Sequence, residues 1–237
     1  MKKELSVVVP VYNEEEIIQH VVEDWVQELN QLLTSYVIYL YNDGSSDKSL
    51  DILKSYKRKY PNHINIIDKK NSGHGPTILQ GYLDNIDSKW IFQVDSDNEI
   101  KALHFKKFWK NKADYDFIVG RRINRNIPLF RKMMSWISFF VVAAMYGRGV
   151  RDVNCPYRLM KTSFFKEFFK DVPKDTFAPN VIISGIAIKK KAKIKEYDVE
   201  FETRTTGNNS LNLNIINLLK ISKKSFIQTI SYARKNQ

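Results

Sequence analysis

Three acidic residues that are spaced for cation binding follow a short apolar segment. The segment Trp90–Glu99, WIFQVDSDNE, runs from strand-forming residues directly into Asp95, Asp97 and Glu99. Such a run is typical of a buried strand in a parallel sheet, and ligands bind at the carboxyl ends of such strands. Side chains two residues apart point to the same side of an extended chain, so Asp95 and Asp97 can converge on one ion. Hard oxygen ligands suit Mg²⁺ or Mn²⁺ with substrate phosphates, although D-S-D-N is also typical of a solvated turn.

Two further polar loops are predicted at the same edge of the sheet. The strands are Leu5–Val11 and Val37–Tyr41, and their loops are Tyr12–Glu14 and Asn42–Asp47. In the cleft where these loops meet, Glu14 and Asp43 could accept hydrogen bonds from a ribose or a base. Gly73 and Gly75 could let the backbone approach a flat base closely. Each feature alone is explained equally well by turn or capping chemistry, but together they predict a nucleotide-diphosphate site.

Alternating strand and helix patterns predict a doubly wound α/β layer in the first half of the chain. Strands are expected at Leu5–Val11, Val37–Tyr41, Ile64–Ile67, Trp90–Val94 and Phe117–Val119, and helices at Glu14–Leu33, Leu50–Tyr60 and Pro76–Ile86. After Arg121 the pattern changes. The later elements are a long apolar helix over Pro128–Tyr146, helical segments near Phe164–Phe169 and Phe177–Lys190, an alternating strand within Ala192–Phe201 and a basic amphipathic helix over Leu211–Arg234. The last helix is expected to pack on the body or to lie on a membrane surface.

Length, cysteine content and hydropathy favour an intracellular enzyme-sized domain. A chain of 237 residues is long enough for one large domain, and its single cysteine, Cys155, cannot form an internal disulfide. The apolar run at the N-terminus is too short for a signal peptide, and no stretch reaches the roughly 18 to 20 apolar residues of a transmembrane helix. We expect a cytoplasmic protein. Peripheral attachment to the inner face of the cytoplasmic membrane, through Met133–Gly147 and the C-terminal tail, is a further expectation.

The net charge of +12 favours polyanionic partners such as phosphorylated substrates, anionic lipid or nucleic acid. A basic RNA-binding protein is therefore the alternative of another functional class. The sequence has no recognisable aromatic RNA-binding signature and no helix-turn-helix pattern, so we expect no nucleic-acid partner.

Seven motifs resemble, in order and spacing, those of a known family. They are SVVVPVYNE, NDGSSDKS, GHGPT, DSDNE, VGRR, DVNCPYR and RTTGNNS. Together they resemble glycosyltransferase family 2 with the GT-A fold, and their order is similar to that of its polyprenyl-phosphate glycosyltransferase branch. The resemblance implies a Rossmann-like, mostly parallel central sheet in a catalytic domain over residues 1–210. Its nucleotide-binding half would span about 1–120 and its acceptor half about 121–210, and residues 211–237 would form an amphipathic helical tail.

The resemblance also implies roles for individual residues. Nucleotide-sugar binding would fall to Pro10, Tyr12, Glu14, Asp43, Gly73, Gly75, Asp95, Ser96, Arg121 and Arg204. A divalent metal, Mn²⁺ or Mg²⁺, would be bound by Asp95, Asp97 and Glu99. The acceptor and the reaction centre would involve Asp152, Arg158, Arg131 and Ser135. The implied activity is inverting, metal-dependent transfer of a hexose-type sugar from a UDP- or GDP-sugar to a polyprenyl phosphate.

One alternative concerns the acceptor. A family 2 enzyme could instead add the sugar to a hydroxyl group of a cell-surface glycan or lipid-linked oligosaccharide. A lipid phosphate is already ionised near neutral pH, whereas a sugar hydroxyl needs a general base. In that case Asp152 is the first candidate for the base and Glu99 the second.

Overall fold

The computed structural model describes residues 3–32, 34–124, 129–202 and 215–235. Its sheet consists of β1 (Leu5–Val11), β2 (Tyr36–Asp43), β3 (Ile64–Lys69), β4 (Trp90–Gln93), β5 (Phe117–Ile123), β6 (Arg158–Lys161) and β7 (Ile194–Glu200). The helices are α1 (Ile18–Asn30), α2 (Ser49–Lys59), α3 (His74–Asp84), α4 (Phe105–Lys110), α5 (Leu129–Tyr146), α6 (Thr162–Asp171), α7 (Pro179–Lys189) and α8 (Ile215–Lys235). Short 3₁₀ turns at Ala102–His104 and Lys112–Asp114 flank α4.

The strand order is β3-β2-β1-β4-β6-β5-β7. β6 runs antiparallel to both of its neighbours, β4 and β5, whereas the other neighbouring strands of the described sheet are parallel. The predicted mostly parallel α/β architecture is therefore confirmed, although β6 was not predicted as a strand. The chain runs outward from β1 to β3 and then returns to place β4 on the other side of β1. This reversal is the topological switch point, where open α/β sheets bind ligands.

An aromatic cluster fixes β4 in the middle of the molecule. Phe92 is fully buried, and its ring lies 5.2 Å from that of Trp25, 4.6 Å from that of Phe105 and 4.7 Å from that of Tyr157. These rings come from α1, from α4 and from the segment before β6. Each such pair contributes about 0.5–1.5 kcal/mol beyond the burial of its area. The strand that leads into the acidic loop is thus held from three directions.

The second half packs around α7, which is buried on all sides. Every residue from Pro179 to Ala187 is buried, as is typical of a helix in the interior. α3, α5, α6 and α8 pack against α7. The Tyr146 hydroxyl at the end of α5 donates a hydrogen bond to the backbone carbonyl of Thr229 in α8 at 2.9 Å. The C-terminal helix is therefore docked on the body through its later turns.

The end of β5 differs from the expectation in a way that matters for the site. β5 continues to Ile123, so Arg121 and Arg122 lie within a strand and point to opposite faces of the sheet. The predicted boundary near residue 120 therefore lies inside β5, and the sheet combines strands from both predicted halves. Among the described residues, no helix has the length and apolar character needed to cross a bilayer.

Candidate active site

The loops that follow β1 and β2 form one connected wall of a cleft. Asn13 Oδ1 accepts a hydrogen bond from the backbone nitrogen of Ser46 at 2.8 Å, and the Asn13 nitrogen donates to Ser45 Oγ at 3.0 Å. The backbone nitrogen of Glu14 donates to Ser49 Oγ at 2.8 Å. Asn13 adopts φ of 52°, which asparagine tolerates better than most residues. Glu14 is only 7% exposed, and it is held within this wall.

Pro10 and Tyr12 differ in exposure. Pro10 is buried within β1, whereas Tyr12, one residue beyond the strand, is 40% exposed. An exposed ring at the carboxyl edge of the sheet could pack against a base or ribose. The structure therefore gives Tyr12 access to a ligand, while Pro10 shapes the strand beneath it.

Asp43 is engaged by the loop that precedes α3. Its Oδ1 accepts a hydrogen bond from the backbone nitrogen of Ser72 at 2.8 Å, and its Oδ2 accepts one from that of Gly73 at 2.9 Å. The Lys69 ammonium also donates to Oδ1. Asp43 is 3% exposed. These bonds make Asp43 the residue that holds the glycine-containing loop in place, and its predicted contact with a base stays a prediction.

The two glycines of this loop serve different structural needs. Gly73 has φ of +93°, in the region that side chains rarely adopt. A Cβ on Gly75 would lie 2.2 Å from the backbone carbonyl oxygens of both Thr176 and Phe177. Contact with the segment before α7 is therefore sufficient to require glycine at Gly75, and close approach of this backbone to a base stays a prediction.

A pocket with three carboxylates lies at the end of β4. It is lined by Val94, Asp95, Asp97, Glu99, Ile100, Arg122, Pro156 and Phe201. Burial, followed by the charges of Asp97 and Asp95, raises the pKa of Glu99 to about 8, and Arg122 opposes this rise. Crowding of like charges raises the energy of the ionised carboxylates, so a bound cation would be stabilised here.

The carboxylates suit a metal ion that is shared with a substrate. Within the described ranges, no three His, Cys, Asp or Glu side chains form a ready-made metal site, so Asp95, Asp97 and Glu99 are not a complete cage. Asp97 Oδ1 accepts a hydrogen bond from the Glu99 nitrogen at 3.1 Å, and Asp95 Oδ1 accepts one from Gln93 Nε2 at 2.9 Å. Because Mg²⁺ commonly takes one or two carboxylates and completes its shell with phosphates and water, the donor set fits such an ion.

Arg122, and not Arg121, is the arginine that lines this pocket. Arg121 donates to both carboxylate oxygens of Asp198 on β7, with Nη2 to Oδ2 at 2.7 Å. Its side chain is 33% exposed. Arg122 is therefore the arginine of this motif that reaches the pocket with the acids, and the predicted place of Arg121 in the donor–acceptor cleft stays a prediction. The motif VGRR contains both residues, and the period of a strand sends them to opposite faces without showing which one enters the cleft.

Asp152 is paired with Arg122 in a fork-to-fork arrangement. Arg122 Nε donates to Asp152 Oδ2 at 2.7 Å, and Arg122 Nη2 donates to Asp152 Oδ1 at 2.8 Å. Both side chains are nearly buried, at 12% and 11% exposure. A carboxylate bound in this way by an arginine is a weak base, because the ion pair stabilises its charged form. The geometry argues against Asp152 as a general base.

Arg158 lies inside the protein and does not reach the cleft surface. It is 0% exposed, and its guanidinium donates to the backbone carbonyls of Cys155, Val153 and Asn180 at 2.7 to 3.2 Å. Burial lowers its pKa, although Tyr82 is among the neighbours that oppose this effect. Arg158 fastens the segment after Asp152 to the start of α7, and its predicted role at the reaction centre stays a prediction.

The remaining predicted site residues are less informative. Ser96 is 6% exposed, next to Asp95. Ser135 lies part-way along α5 and is partly exposed, whereas the side chain of Arg131 in the same helix lies outside the described part of the structure. Arg204 and its predicted loop also lie outside the described residues.

The first turns of α5 carry an apolar face that is exposed to solvent. Its residues are Leu129 (82% exposed), Met133 (47%), Trp136 (68%), Ile137 (36%) and Phe140 (64%). With about 100° between successive residues, these positions fall on one side of the helix. The later turns of α5 have a buried side, which includes Val142 and Tyr146. We refer to the five exposed residues as the apolar face of α5.

The fold and the site together define an open α/β protein with an acid-rich loop at the switch point of its sheet. The model of the family described as "Glycosyl transferase family 2" matches residues 6–169, which is more than half of the chain. The chain therefore belongs to glycosyltransferase family 2.

Among similar sequences are two undecaprenyl-phosphate 4-deoxy-4-formamido-L-arabinose transferases. The one from Photorhabdus laumondii is 30% identical over 220 residues, covering 92% of this chain and 66% of the relative. The one from Proteus mirabilis is 28% identical over 218 residues, covering 91% of this chain and 65% of the relative. The chain thus spans slightly less than two thirds of the length of these relatives.

Two solved structures have a similar fold. Glucosyl-3-phosphoglycerate synthase from Mycobacterium tuberculosis, in complex with Mn²⁺, uridine diphosphate and phosphoglyceric acid, aligns with a TM-score of 0.68 at 11% identity, covering 98% of this chain and 78% of that one. S. aureus TarS in complex with UDP-GlcNAc aligns with a TM-score of 0.57 at 15% identity, covering 98% and 74%. At these identities the likeness shows the fold alone.

Proposed function

We propose that this protein transfers a sugar, with inversion, from a UDP- or GDP-sugar to a polyprenyl phosphate. The observation that carries the proposal is the pocket at the switch point, where Asp95, Asp97 and Glu99 face Arg122 in a family 2 chain. The undecaprenyl-phosphate acceptor in the names of the two relatives supports the acceptor class.

The donor would lie along the edge formed by β1, β2 and β4. Tyr12 offers an exposed ring, and Glu14 lies within the wall that joins the first two loops. Asp95, Asp97 and Glu99 would hold a divalent cation, Mn²⁺ or Mg²⁺. When bound, this cation would neutralise negative charge on the diphosphate of the donor. Arg122 also lines the pocket, where it is held by its ion pair with Asp152.

The chemistry requires one bond to form and one to break at the anomeric carbon. An oxygen of the acceptor phosphate attacks this carbon in line with the leaving group, and the bond to the diphosphate breaks with its electron pair. The nucleoside diphosphate departs, and the configuration inverts. An ionised phosphate needs no base, so the protein contributes mainly by orienting the two substrates and stabilising the developing charge.

The state of Asp152 supports a phosphate acceptor. A hydroxyl acceptor would need a base to remove its proton, but both oxygens of Asp152 accept hydrogen bonds from Arg122. In our proposal the Arg122–Asp152 ion pair lies beside the reaction centre, where Asp152 holds the guanidinium of Arg122 in position. Glu99 is the remaining candidate for a base if the acceptor is a hydroxyl, and in that case it would not also be a ligand of the cation.

The apolar face of α5 would bring the protein to its lipid substrate. Five exposed apolar side chains on one side of a helix, next to the exposed Lys132, form a surface that suits the interface of an anionic membrane. The net charge of +12 would add electrostatic attraction to anionic headgroups. We therefore propose peripheral binding to a membrane, with α5 at the lipid surface.

The test is a panel of nucleotide-sugars with Mn²⁺ or Mg²⁺, in which release of the nucleoside diphosphate is measured. The panel should contain hexose and pentose donors, because the relatives' names include an arabinose derivative. Release that depends on a short polyprenyl phosphate supports the proposal. Release that depends on a glycan acceptor instead would show that the acceptor is a hydroxyl group. If no donor is bound and none releases its nucleoside diphosphate, the proposed enzymatic activity is contradicted.

A further inference from the structure

A glutamine ends the apolar sequence of β4. Gln93 is the last residue of the strand, and it is 0% exposed. A buried amide must have partners, because a buried polar group without one costs about 1–3 kcal/mol. The partners of Gln93 therefore indicate why a polar residue occupies this position.

The Gln93 amide faces Asp95 with its nitrogen. Gln93 Nε2 donates a hydrogen bond to Asp95 Oδ1 at 2.9 Å. Gln93 Oε1 accepts one from Asn180 Nδ2 at 2.9 Å. An amide group has donors at one end and acceptors at the other, so the Asn180 donor obliges the Gln93 oxygen to face α7 and the nitrogen to face Asp95.

The orientation of Asn180 is fixed in turn by a tyrosine. The hydroxyl of Tyr82, in α3, donates to Asn180 Oδ1 at 2.8 Å. Tyr82 is 0% exposed, and burial raises its pKa, so the phenol keeps its proton. The backbone carbonyl of Asn180 accepts a hydrogen bond from Arg158 Nη1 at 2.9 Å. We call Tyr82, Asn180 and Gln93 the amide relay, since each donates to the next group in the direction of Asp95.

We propose that the amide relay is a positioning device for Asp95. It keeps an N–H group against Oδ1 and so holds the Asp95 carboxylate in one orientation for the donor and its divalent cation. His74 Nε2 lies 3.5 Å from the same oxygen, on the side of α3. This inference rests on the proposed function, because it assigns Asp95 to the donor site. Tyr82, Asn180 and Gln93 act through Asp95 and are positioning residues.

The most direct variant changes a residue that is one step removed from Asp95. Asn180→Asp keeps the size of the side chain and keeps an acceptor for the Tyr82 hydroxyl, but it replaces the donor that faces Gln93. The Gln93 amide must then turn, and its oxygen would face the oxygen of Asp95. Outer-shell changes of this kind weaken metal binding about 10- to 100-fold, and we expect a loss in that range.

A second variant, Tyr82→Phe, tests the relay even if Asn180→Asp does not fold. Tyr82→Phe removes only the hydroxyl and keeps the ring, which stacks on Phe169 at 4.9 Å. It removes the hydrogen bonds that the Tyr82 hydroxyl donates to Asn180 Oδ1 at 2.8 Å and to Gln93 Oε1 at 3.4 Å. The bonds of Gln93 to Asp95 and Asn180 stay in place, but the Asn180 amide is free to turn. We expect a smaller loss than in Asn180→Asp.

The matched control removes a buried hydrogen bond at the amino-terminal ends of the strands, away from the site at their carboxyl ends. Ser6 and Ser88 bond to each other through their hydroxyls near the starts of β1 and β4, and both are buried. Ser88→Ala should lower the melting temperature without changing affinity at the site. The readout is Mn²⁺ binding by electron paramagnetic resonance in the presence of UDP or GDP, with thermal unfolding measured on the same samples.

The outcomes separate the inference from the proposed function. Weaker Mn²⁺–nucleotide binding in Asn180→Asp and Tyr82→Phe, with unchanged binding in Ser88→Ala, supports the relay. Wild-type affinity in folded Asn180→Asp or Tyr82→Phe overturns the relay and leaves the proposed function intact. A loss in Ser88→Ala equal to that of the relay variants also overturns it, because general loosening would then explain the result. Absence of binding by the wild type overturns both.

Discussion

At the scale of single residues, the site consists of charged groups whose positions are fixed by their neighbours. Asp43 is held by two backbone N–H groups of the loop before α3. Asp152 accepts hydrogen bonds from Nε and Nη2 of Arg122, and Arg122 also lines the pocket with the three acids. Preorganised charge of this kind stabilises a departing diphosphate without the cost of reorienting solvent. The roles of Arg122 and of Cys155 can both be tested.

Replacement of Arg122 should impair transfer far more than replacement of Arg121. Arg122→Lys keeps the charge but cannot reproduce the two-armed contact with Asp152, so we expect kcat/KM to fall by about 10-fold or more. Arg121→Lys is the matched control, because its pair with Asp198 is largely solvent-exposed, and exposed pairs contribute about 1 kcal/mol or less. Equal losses in the two variants would show that Arg122 has no special place in the site.

Cys155 should be inert in the folded protein. It is 0% exposed, and burial, followed by the charge of Asp152, raises its pKa to about 12. Because the thiolate is the reactive form, the thiol should stay unreactive from pH 7 to pH 9. The measurement is reaction with a thiol-specific disulfide reagent, with and without denaturant. One thiol should be titrated rapidly only in the unfolded chain, and rapid labelling of the native protein at pH 8 would refute the assigned burial.

The sequence was informative about which residue types gather at the site and less so about their contacts. The acids of Trp90–Glu99 were found because an apolar strand ends abruptly in them, which is a local signal. Arg122 was missed because both arginines of VGRR suit the cleft, and only the packing of β5 decides between them. Gln93 had a signal that could have been used, since a polar residue inside WIFQV must find partners in the interior.

At the scale of elements, the segment before α7 connects the two sides of the molecule. It packs on Gly75 at the start of α3, and the backbone nitrogen of Phe177 donates to Gln228 Oε1 of α8 at 3.2 Å. Lys224 of α8 forms an ion pair with Asp175 at 3.1 Å. The start of α3 and the C-terminal helix therefore both contact the short segment before α7.

Gly75→Ala should be strongly destabilising. The added methyl group would lie 2.2 Å from two backbone carbonyl oxygens, which cannot move as a side chain can. We expect a loss of about 2 kcal/mol or more in the free energy of unfolding, measured by urea denaturation. Gly149→Ala is the control, because its added methyl would meet only the Ile188 side chain, at 3.2 Å. A loss no larger than that of the control would contradict the close packing of Gly75.

The apolar face of α5 should bind membranes. Wild-type protein should sediment with vesicles that contain phosphatidylglycerol, and Trp136→Glu with Phe140→Glu should remove most of this binding, since both side chains are more than half exposed. Leu103→Glu is a matched control, because Leu103 is 65% exposed on a different element. Failure of the wild type to bind, or an equal loss in the control, would refute the proposed surface.

The elements themselves were largely predictable, with one instructive exception. The spacing of apolar residues in α1 and the alternation in β7 are signals within the chain. The four residues of β6, RLMK, carry no such pattern. β6 is a strand because β4 and β5 lie on either side of it with free edges, which is information about tertiary pairing and not about local sequence.

At the scale of the whole molecule, the sheet brings distant parts of the sequence to one place. The switch point between β1 and β4 gathers the loops of the first half, and the insertion of β6 between β4 and β5 places Arg122 and Asp152 beside the acids. Donor and acceptor would therefore meet where the two halves of the chain share one sheet. In our proposal, the apolar face of α5 would orient this part of the protein toward a lipid surface.

The central claim is tested most directly by following the sugar itself. Labelled nucleotide-sugar is incubated with the protein, a divalent cation and a short polyprenyl phosphate, and label that enters the organic phase is counted. We predict metal-dependent formation of a lipid-linked sugar by the wild type and a loss of about 100-fold or more in Asp97→Ala. Absence of lipid-linked product with every donor that binds, or full activity in Asp97→Ala, would contradict the account.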